Sequence, residues 1–167
     1  MSIISIKPYA DTFVETNFST PLLLGMEFST RSYALENELE QLEDIHEQND
    51  WLFDLGLAKS YLEGRKKAIV VTDTNQHITW TSRGFVRMTG YTYCEAFNKK
   101  PTFLQGPKTL QTTRSKIREC LSRQESFEGS IVNYRKSGSV YACNVTIIPI
   151  LNNNERLVNY IALEEEN

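Results

Sequence analysis

Cysteine and histidine are the first side chains to consider for chemistry, because they supply many of the nucleophiles and metal ligands of proteins. The three cysteines, Cys94, Cys120 and Cys143, lie far apart in the sequence, and the two histidines are His46 and His77. This spacing excludes a fully paired disulfide framework and a CxxC metal site, and it supplies no neighbours for a histidine-based metal site or triad. Phosphate-binding loop, GxSxG and HExxH motifs are absent. We therefore expect a non-enzymatic protein with reduced thiols packed in or near the core.

Length and charge limit the class of protein further. The 167 residues are 40% hydrophobic and 23% charged, with a net charge of −3, which suits one folded domain with an extension. Residues 1–67 carry six basic and twelve acidic residues, and residues 68–167 carry twelve basic and nine acidic ones. The basic residues are scattered, so nucleic-acid binding is not predicted. No membrane-spanning run or secretory signal is present, and we expect a cytoplasmic protein that does not bind membranes.

The first 67 residues are predicted to form an N-terminal extension with amphipathic helices. Residues 1–28 contain several helix breakers and are expected to be irregular, and Ser29 or Thr30 could then cap a helix. The apolar stripe of this helix consists of Tyr33, Leu35, Leu39, Leu42 and Ile45. The stripe is too short for a free-standing coiled coil, so packing on its own domain or in a dimer is favoured. A second short helix is expected around residues 56–63, ending near Gly64.

Residues 68–167 show the alternation of a sheet interrupted by helices. Strands are predicted at 68–73 and 77–80, helical turns at 84–89 with a stop at Gly90, and strands at 127–136, 139–150 and 157–164. The longest helix is expected at 109–123, with Leu110, Ile117 and Leu121 on one face. This order predicts an α+β fold in which a five-stranded antiparallel sheet has helices across one face. The predicted domains are residues 1–67 and 68–167.

Short sequence words in this second part are similar to those of a known family. Val71-Thr72-Asp73, Ile78-Thr79-Trp80 and Met88-Thr89-Gly90-Tyr91 resemble PAS domains. Phe103-Leu104-Gln105-Gly106-Pro107 and Asn133-Tyr134-Arg135-Lys136-Ser137-Gly138 resemble the light-oxygen-voltage (LOV) subclass. The resemblance covers residues 68–164 and implies the PAS fold. It does not cover the first 67 residues.

A LOV domain holds a flavin nucleotide between its helices and its sheet, and its photochemistry needs a cysteine beside the ring. At that position this chain has Pro101, which has no nucleophile. The resemblance also places Lys100 where the family has an Asn that binds the flavin, and Thr102 where it has an Arg that pairs with the phosphate. A photoadduct at this position is therefore excluded.

The remaining family contacts are partly kept. The resemblance carries flavin contacts onto Gln105, Arg118 and Asn133, whereas Cys143 stands in place of an Asn and Glu164 in place of a Gln. Alternation along the strand places Cys143 on the face that we expect to line the cavity. Each unpaired group at a buried ring edge costs roughly 1–3 kcal/mol. We therefore expect no cofactor, with flavin mononucleotide (FMN) kept as the alternative.

The resemblance implies a non-enzymatic PAS sensor that acts in signal transduction through protein–protein interaction or dimerisation. Its partner would be another protein or a second copy, bound through the N-terminal helix or the sheet face, and a small-molecule ligand in the cavity is left open. The alternative is a flavin-binding LOV-like sensor of light or redox state without an adduct. An enzyme using Cys143 or Glu164 is disfavoured because no base–nucleophile pair is visible. Haem is disfavoured because His46 and His77 lie away from the cavity helices.

Overall fold

The computed structural model describes residues 37–167. The predicted irregular segment 1–28, the predicted cap at Ser29 or Thr30, and the stripe residues Tyr33 and Leu35 lie outside these residues. The first helix, α1, is described over residues 37–48, and α2 spans Leu55–Glu63. The side chain of Asp54 caps α2 by accepting a hydrogen bond from the Gly56 amide. The predicted second helix is thereby confirmed, and Gly64 follows its last turn.

The remaining elements follow the predicted order. They are β1 (Lys67–Thr72), β2 (Ile78–Thr81), α3 (Arg83–Thr89), α4 (Tyr93–Ala96), a 3₁₀ turn (Pro101–Leu104), α5 (Gln111–Ser122), β3 (Phe127–Tyr134), β4 (Val140–Leu151) and β5 (Leu157–Glu166). The prediction for the longest helix was wrong at its start, because α5 begins at Gln111. Leu110 precedes the first turn and is 65% exposed, so it does not share the partly buried face of Ile117 and Leu121.

The five strands form one antiparallel sheet, which confirms the predicted α+β fold. Their order is β2-β1-β5-β4-β3, so the last strand of the sequence lies in the centre of the sheet. The register pairs Val145 with Glu164 and Cys143 with Glu166 across β4 and β5. Because side chains alternate between faces, one face of the sheet meets α3, α4 and α5, and the other meets α1 and α2.

The inner face of the sheet packs under the helices that follow β2. Its core joins Phe85 and Met88 of α3 to Val70 of β1 and to Tyr141 and Val145 of β4. Gly84 allows the close approach of α3 to β1, because a Cβ at this position would lie 2.0 Å from the Lys67 carbonyl oxygen. The turn after α3 uses Gly90 at a φ of 76°, as its predicted stop requires.

The outer face of the sheet is covered by α1 and α2. Leu42, Ala58 and Leu62 are buried in a second core with Ile69 and Ile161 of the sheet. Two other residues of the predicted stripe, Leu39 and Ile45, pack against the same core. Trp51, between the two helices, is 4% exposed and donates its indole N–H to Oδ1 of Asn159 at 2.9 Å. We call residues 37–63 the cap. The division of the chain into domains at residue 67 stays a prediction.

Candidate functional site

An inner cavity lies between α5 and the inner face of the sheet, and its volume is about 100 Å³. Three of the predicted site residues, Gln105, Asn133 and Glu164, line this cavity. The rest of the wall is mostly apolar and includes Leu104, Ile117, Leu121, Ile131, Val145, Ile147, Tyr160 and Ala162. These three residues therefore come from distant parts of the sequence and meet at one cavity.

An outer cleft of about 310 Å³ adjoins the inner cavity. The two spaces share the wall residues Gln76, Thr102, Gln105, Ile117 and Leu121. The cleft adds Gln111, Arg114 and Arg118 from α5, so it is more polar and carries positive charge. Arg118, the fourth predicted site residue, is exposed at this cleft.

The loop that carries Gln105 is fixed by hydrogen bonds to the sheet. Pro101 starts the 3₁₀ turn, and proline is suited to this position because a backbone N–H there would have no partner within the turn. Thr109 then accepts a hydrogen bond from the Gly106 amide at 3.0 Å and donates one to the Val132 carbonyl at 2.6 Å. Tyr134 of β3 adds a third contact, because its hydroxyl accepts from the Lys108 amide at 2.9 Å. Gln105 is thereby held where the inner cavity meets the outer cleft.

Glu164 is a buried carboxyl group, 6% exposed, with a thiol as its neighbour. The Sγ atom of Cys143 lies 4.0 Å from its Oε2. Burial raises the pKa of Glu164 to about 7, so near neutral pH the group is divided between its charged and neutral forms. Burial, assisted by the charge of Glu164, also raises the pKa of the Cys143 thiol. Cys143, the fifth predicted site residue, is fully buried behind the cavity wall, and its thiol is not a nucleophile at neutral pH.

Two further polar atoms near the cavity are buried without a hydrogen-bond partner of good geometry. They are Oδ1 of Asn133 and Oη of Tyr141, whose residues are 5% and 4% exposed. Burial, followed by the charges of Glu164 and Cys143, raises the pKa of Tyr141, so its phenol is neutral. The Arg135 guanidinium lies over the Tyr141 ring at 4.4 Å, which holds the ring in place. The side chain of Asn133 interacts with the Tyr141 hydroxyl, and its Oδ1 has no donor of good geometry among residues 37–167.

A comparison with models of protein families identifies the family of this fold. The model of the PAS domain matches residues 66–166. This chain belongs to the PAS domain family. Two curated relatives show how far the similarity extends. Phototropin-2 of Oryza sativa subsp. japonica is 33% identical over 111 residues, which are 65% of this chain and 12% of that protein. The nitrogen fixation regulatory protein of Klebsiella pneumoniae is 27% identical over 66% of this chain and 22% of its own length.

A solved structure supports the same subclass. The structure comes from work with a flavin analogue on the mechanism of LOV domains. It is 30% identical, with a TM-score of 0.62, and the match covers 68% of this chain and 86% of that one. The PAS domain is therefore LOV-like, and it is a sensory module. It spans less than a quarter of the length of the two curated relatives. Within residues 37–167, no helix has the length and apolar character needed to cross a bilayer.

Several residues that shape the site of this PAS domain were missed by the sequence analysis. Thr72 and Tyr160 both line the inner cavity, and Tyr160 donates its hydroxyl to the Leu121 carbonyl of α5 at 3.1 Å. Asn159 lies behind them and donates to the Thr72 carbonyl at 2.9 Å. Alternation in the last strand places Tyr160 and Glu164 on the same face and was the available signal for Tyr160. No local pattern could have identified the link made by Asn159.

The flavin that the LOV resemblance implies can be tested against this cavity. Gln105, Asn133 and Arg118, which the resemblance gives as flavin contacts, line the two connected spaces. The inner cavity by itself is too small for the ring system, however, because an engineered cavity of about 150 Å³ binds benzene, which is one ring. The inner cavity of this PAS domain is smaller, at about 100 Å³, and a flavin has three fused rings. Glu164 also brings a partly charged carboxyl group to the wall.

Proposed function

We propose that this PAS domain is a non-enzymatic signalling module that senses through its cavity and transmits through protein–protein contacts of the sheet. The observation that carries the proposal is the hydrogen-bonded link through Asn159. Its side-chain amide donates to the carbonyl of Thr72, a residue of the cavity wall, and accepts from the indole of Trp51, a residue of the cap. The buried side chain of Asn159 therefore bonds both a residue of the cavity wall, on one face of the sheet, and a residue of the cap, on the other face.

The covered surface has the character of an interface. Ile69, Val71 and Ile161 of the sheet are each at most 1% exposed, and their outer neighbours belong to the cap. Release of the cap would expose this apolar surface, which would then favour contact with a second copy or with another protein. The cap is acidic on its solvent side, whereas the rest of the chain carries a positive net charge, so the two also attract each other.

The test uses the full chain with a charge introduced beneath the cap. Leu42 is fully buried, and Leu42→Glu should lift α1 from the sheet. We expect a larger mass than that of wild type in light scattering, or strong binding of an apolar dye, with the sheet retained in circular dichroism. Glu43→Gln, at the exposed neighbouring position, is the matched control. A folded Leu42→Glu protein with unchanged mass and no dye binding would contradict the proposal.

The second candidate function is a flavin-binding sensor without a photoadduct. It is favoured by the three retained polar side chains, Gln105, Asn133 and Arg118, around two connected spaces. The blue-region absorption of the purified full-length protein, followed by denaturation, separates the two candidates. We expect a colourless protein with no flavin released. A stoichiometric flavin spectrum would favour the second candidate and would show that the inner cavity expands.

A further inference from the structure

Glu38 of α1 is a buried carboxyl group where the cap meets α3. Its side chain is 5% exposed, and its Oε1 accepts a hydrogen bond from the backbone amide of Arg83, the first residue of α3. Ser82 precedes α3 but makes no capping bond, because its hydroxyl accepts from the Ile69 amide of β1 at 2.9 Å. The side-chain acceptor at the start of α3 is therefore supplied by the cap.

A second polar contact lies one turn further along α1. The Oε1 of Gln41 accepts the indole N–H of Trp80 in β2 at 2.9 Å, and Trp80 is 7% exposed. Glu38 and Gln41 are three residues apart and lie on one face of the helix. This face attaches α1 to both α3 and β2, and one of its two polar groups carries a charge when it is ionised.

The ionised form of Glu38 is costly at this position. A carboxylate that leaves water needs hydrogen bonds and opposite charges to compensate it. The Arg83 amide and the positive charges of Arg83 and Arg87 on α3 offset part of the cost, but burial outweighs them and raises the pKa of Glu38. Gln41 and Trp80 at the neighbouring contact are uncharged, and the other carboxyl groups of α1 are exposed.

We propose that Glu38 is a proton-controlled latch, which holds the cap when its carboxyl group is neutral and favours release of the cap when it is ionised. Release returns the side chain to water, where its pKa has the ordinary value of 4.5. The docked cap thus binds a proton more tightly than the released cap. Docking is strongest below pH 4.5 and weakens as the pH rises through the raised pKa. This inference rests on the proposed function, because it names the group that regulates release of the cap.

The latch also connects the cap to the inner core. Release withdraws the Glu38 acceptor from the Arg83 amide, so the first turn of α3 loses a charge-assisted or neutral hydrogen bond. The same short helix carries Phe85 and Met88, which are buried in the inner core. The contact at Glu38 therefore lies between the cap and the inner face of the sheet, at a place distant in sequence from Asn159.

Native-state hydrogen exchange of the full-length protein measures opening of the cap through the amides of α1. Glu38→Gln keeps the acceptor oxygen and removes the charge, so at pH 8 the α1 amides should exchange several-fold more slowly than in wild type. At pH 4.5 and below, the difference should become small. Glu40→Gln, at an exposed position of the same helix, is the matched control and should exchange as wild type does. Titration of Glu164 is common to these proteins and cancels at each pH.

A charge on α3 provides a second test. Arg87 is exposed, and Arg87→Gln removes a positive charge that favours the ionised form of Glu38. At pH 8 this variant should speed exchange of the α1 amides in the wild-type background and leave it unchanged in the Glu38→Gln background. A general loss of α3 stability would instead act equally in both backgrounds.

Two results would overturn the latch. One is α1 exchange that is unchanged or faster in Glu38→Gln at pH 8, and the other is an equal effect of Arg87→Gln in both backgrounds. If either occurs while the Leu42 variant behaves as expected, the cap is releasable but Glu38 does not control it. Conversely, slower exchange in Glu38→Gln would establish the latch even if the Leu42 variant contradicts transmission through the sheet.

Discussion

Replacement of Glu164 by glutamine should remove a pH-dependent loss of stability. Burial raises the pKa of this carboxyl from 4.5 to about 7 in the folded protein, so the folded state binds a proton more tightly than the unfolded state. Stability is therefore lost as the pH rises from 4.5 to 7, and it is regained in acid. At about 1.36 kcal/mol per pKa unit, the shift corresponds to roughly 3 kcal/mol at pH 8. Glu164→Gln should abolish this contribution.

Urea denaturation of the two proteins at pH 4 and pH 8 measures the effect. The difference in unfolding free energy between variant and wild type should be about 3 kcal/mol more favourable to the variant at pH 8 than at pH values below 4.5. Titration of other groups cancels in this difference. Glu165→Gln is the control, because Glu165 is the exposed neighbour on the opposite face of the same strand. A variant whose stability follows the same pH profile as wild type would refute the assignment of a buried, partly neutral carboxyl.

Two further substitutions test the packing that positions the site. Gly84→Ala should destabilise the protein by about 3 kcal/mol or more, because the added Cβ would lie 2.0 Å from the Lys67 carbonyl oxygen. Thermal unfolding measures the change in stability, and a loss below about 1 kcal/mol would contradict the prediction. Asn159→Leu should cost about 2–5 kcal/mol in urea unfolding, since it leaves the Trp51 N–H and the Thr72 carbonyl without their partner. An Asn159→Leu protein as stable as wild type would show that this link contributes nothing.

The elements of the fold were predictable because each has a local signal. The buried strand before Asp73, the stop at Gly90 and the turn at Gly138 all follow from residue type and alternation. The predicted start of α5 was wrong for a physical reason. Leu110 has the spacing of the apolar face of α5, but it precedes the helix and is exposed to solvent. The helix covers a cavity and has no fully buried residue of its own, so burial does not mark where it starts. Apolar spacing predicts a buried face only where a core lies beneath it.

Candidate site residues could be named from the sequence only where the resemblance to LOV domains covers them. The resemblance named Gln105, Asn133 and Glu164, and all three line one cavity, whereas their role as ligand contacts stays a prediction. The contact of Cys143 with Glu164 depends on the register of β4 against β5, which no residue spacing specifies. The bond between Trp51 and Asn159 joins residues 108 positions apart. Such contacts exist only once the chain has closed the sheet, so they lie beyond any local pattern.

The central strand is the element through which a change in the cavity would reach the cap. Tyr160 faces the cavity and donates to the Leu121 carbonyl of α5, whereas its neighbour Asn159 faces the cap and bonds Trp51. Adjacent residues of a strand share one peptide plane, so a ligand that displaces Tyr160 also tilts the backbone of Asn159. A tilt lengthens or bends the bond to Trp51, whose strength falls steeply once its geometry departs from linear. Under the proposed function, the bond between Asn159 and Trp51 is therefore the contact of the cap that a change in the cavity would reach first.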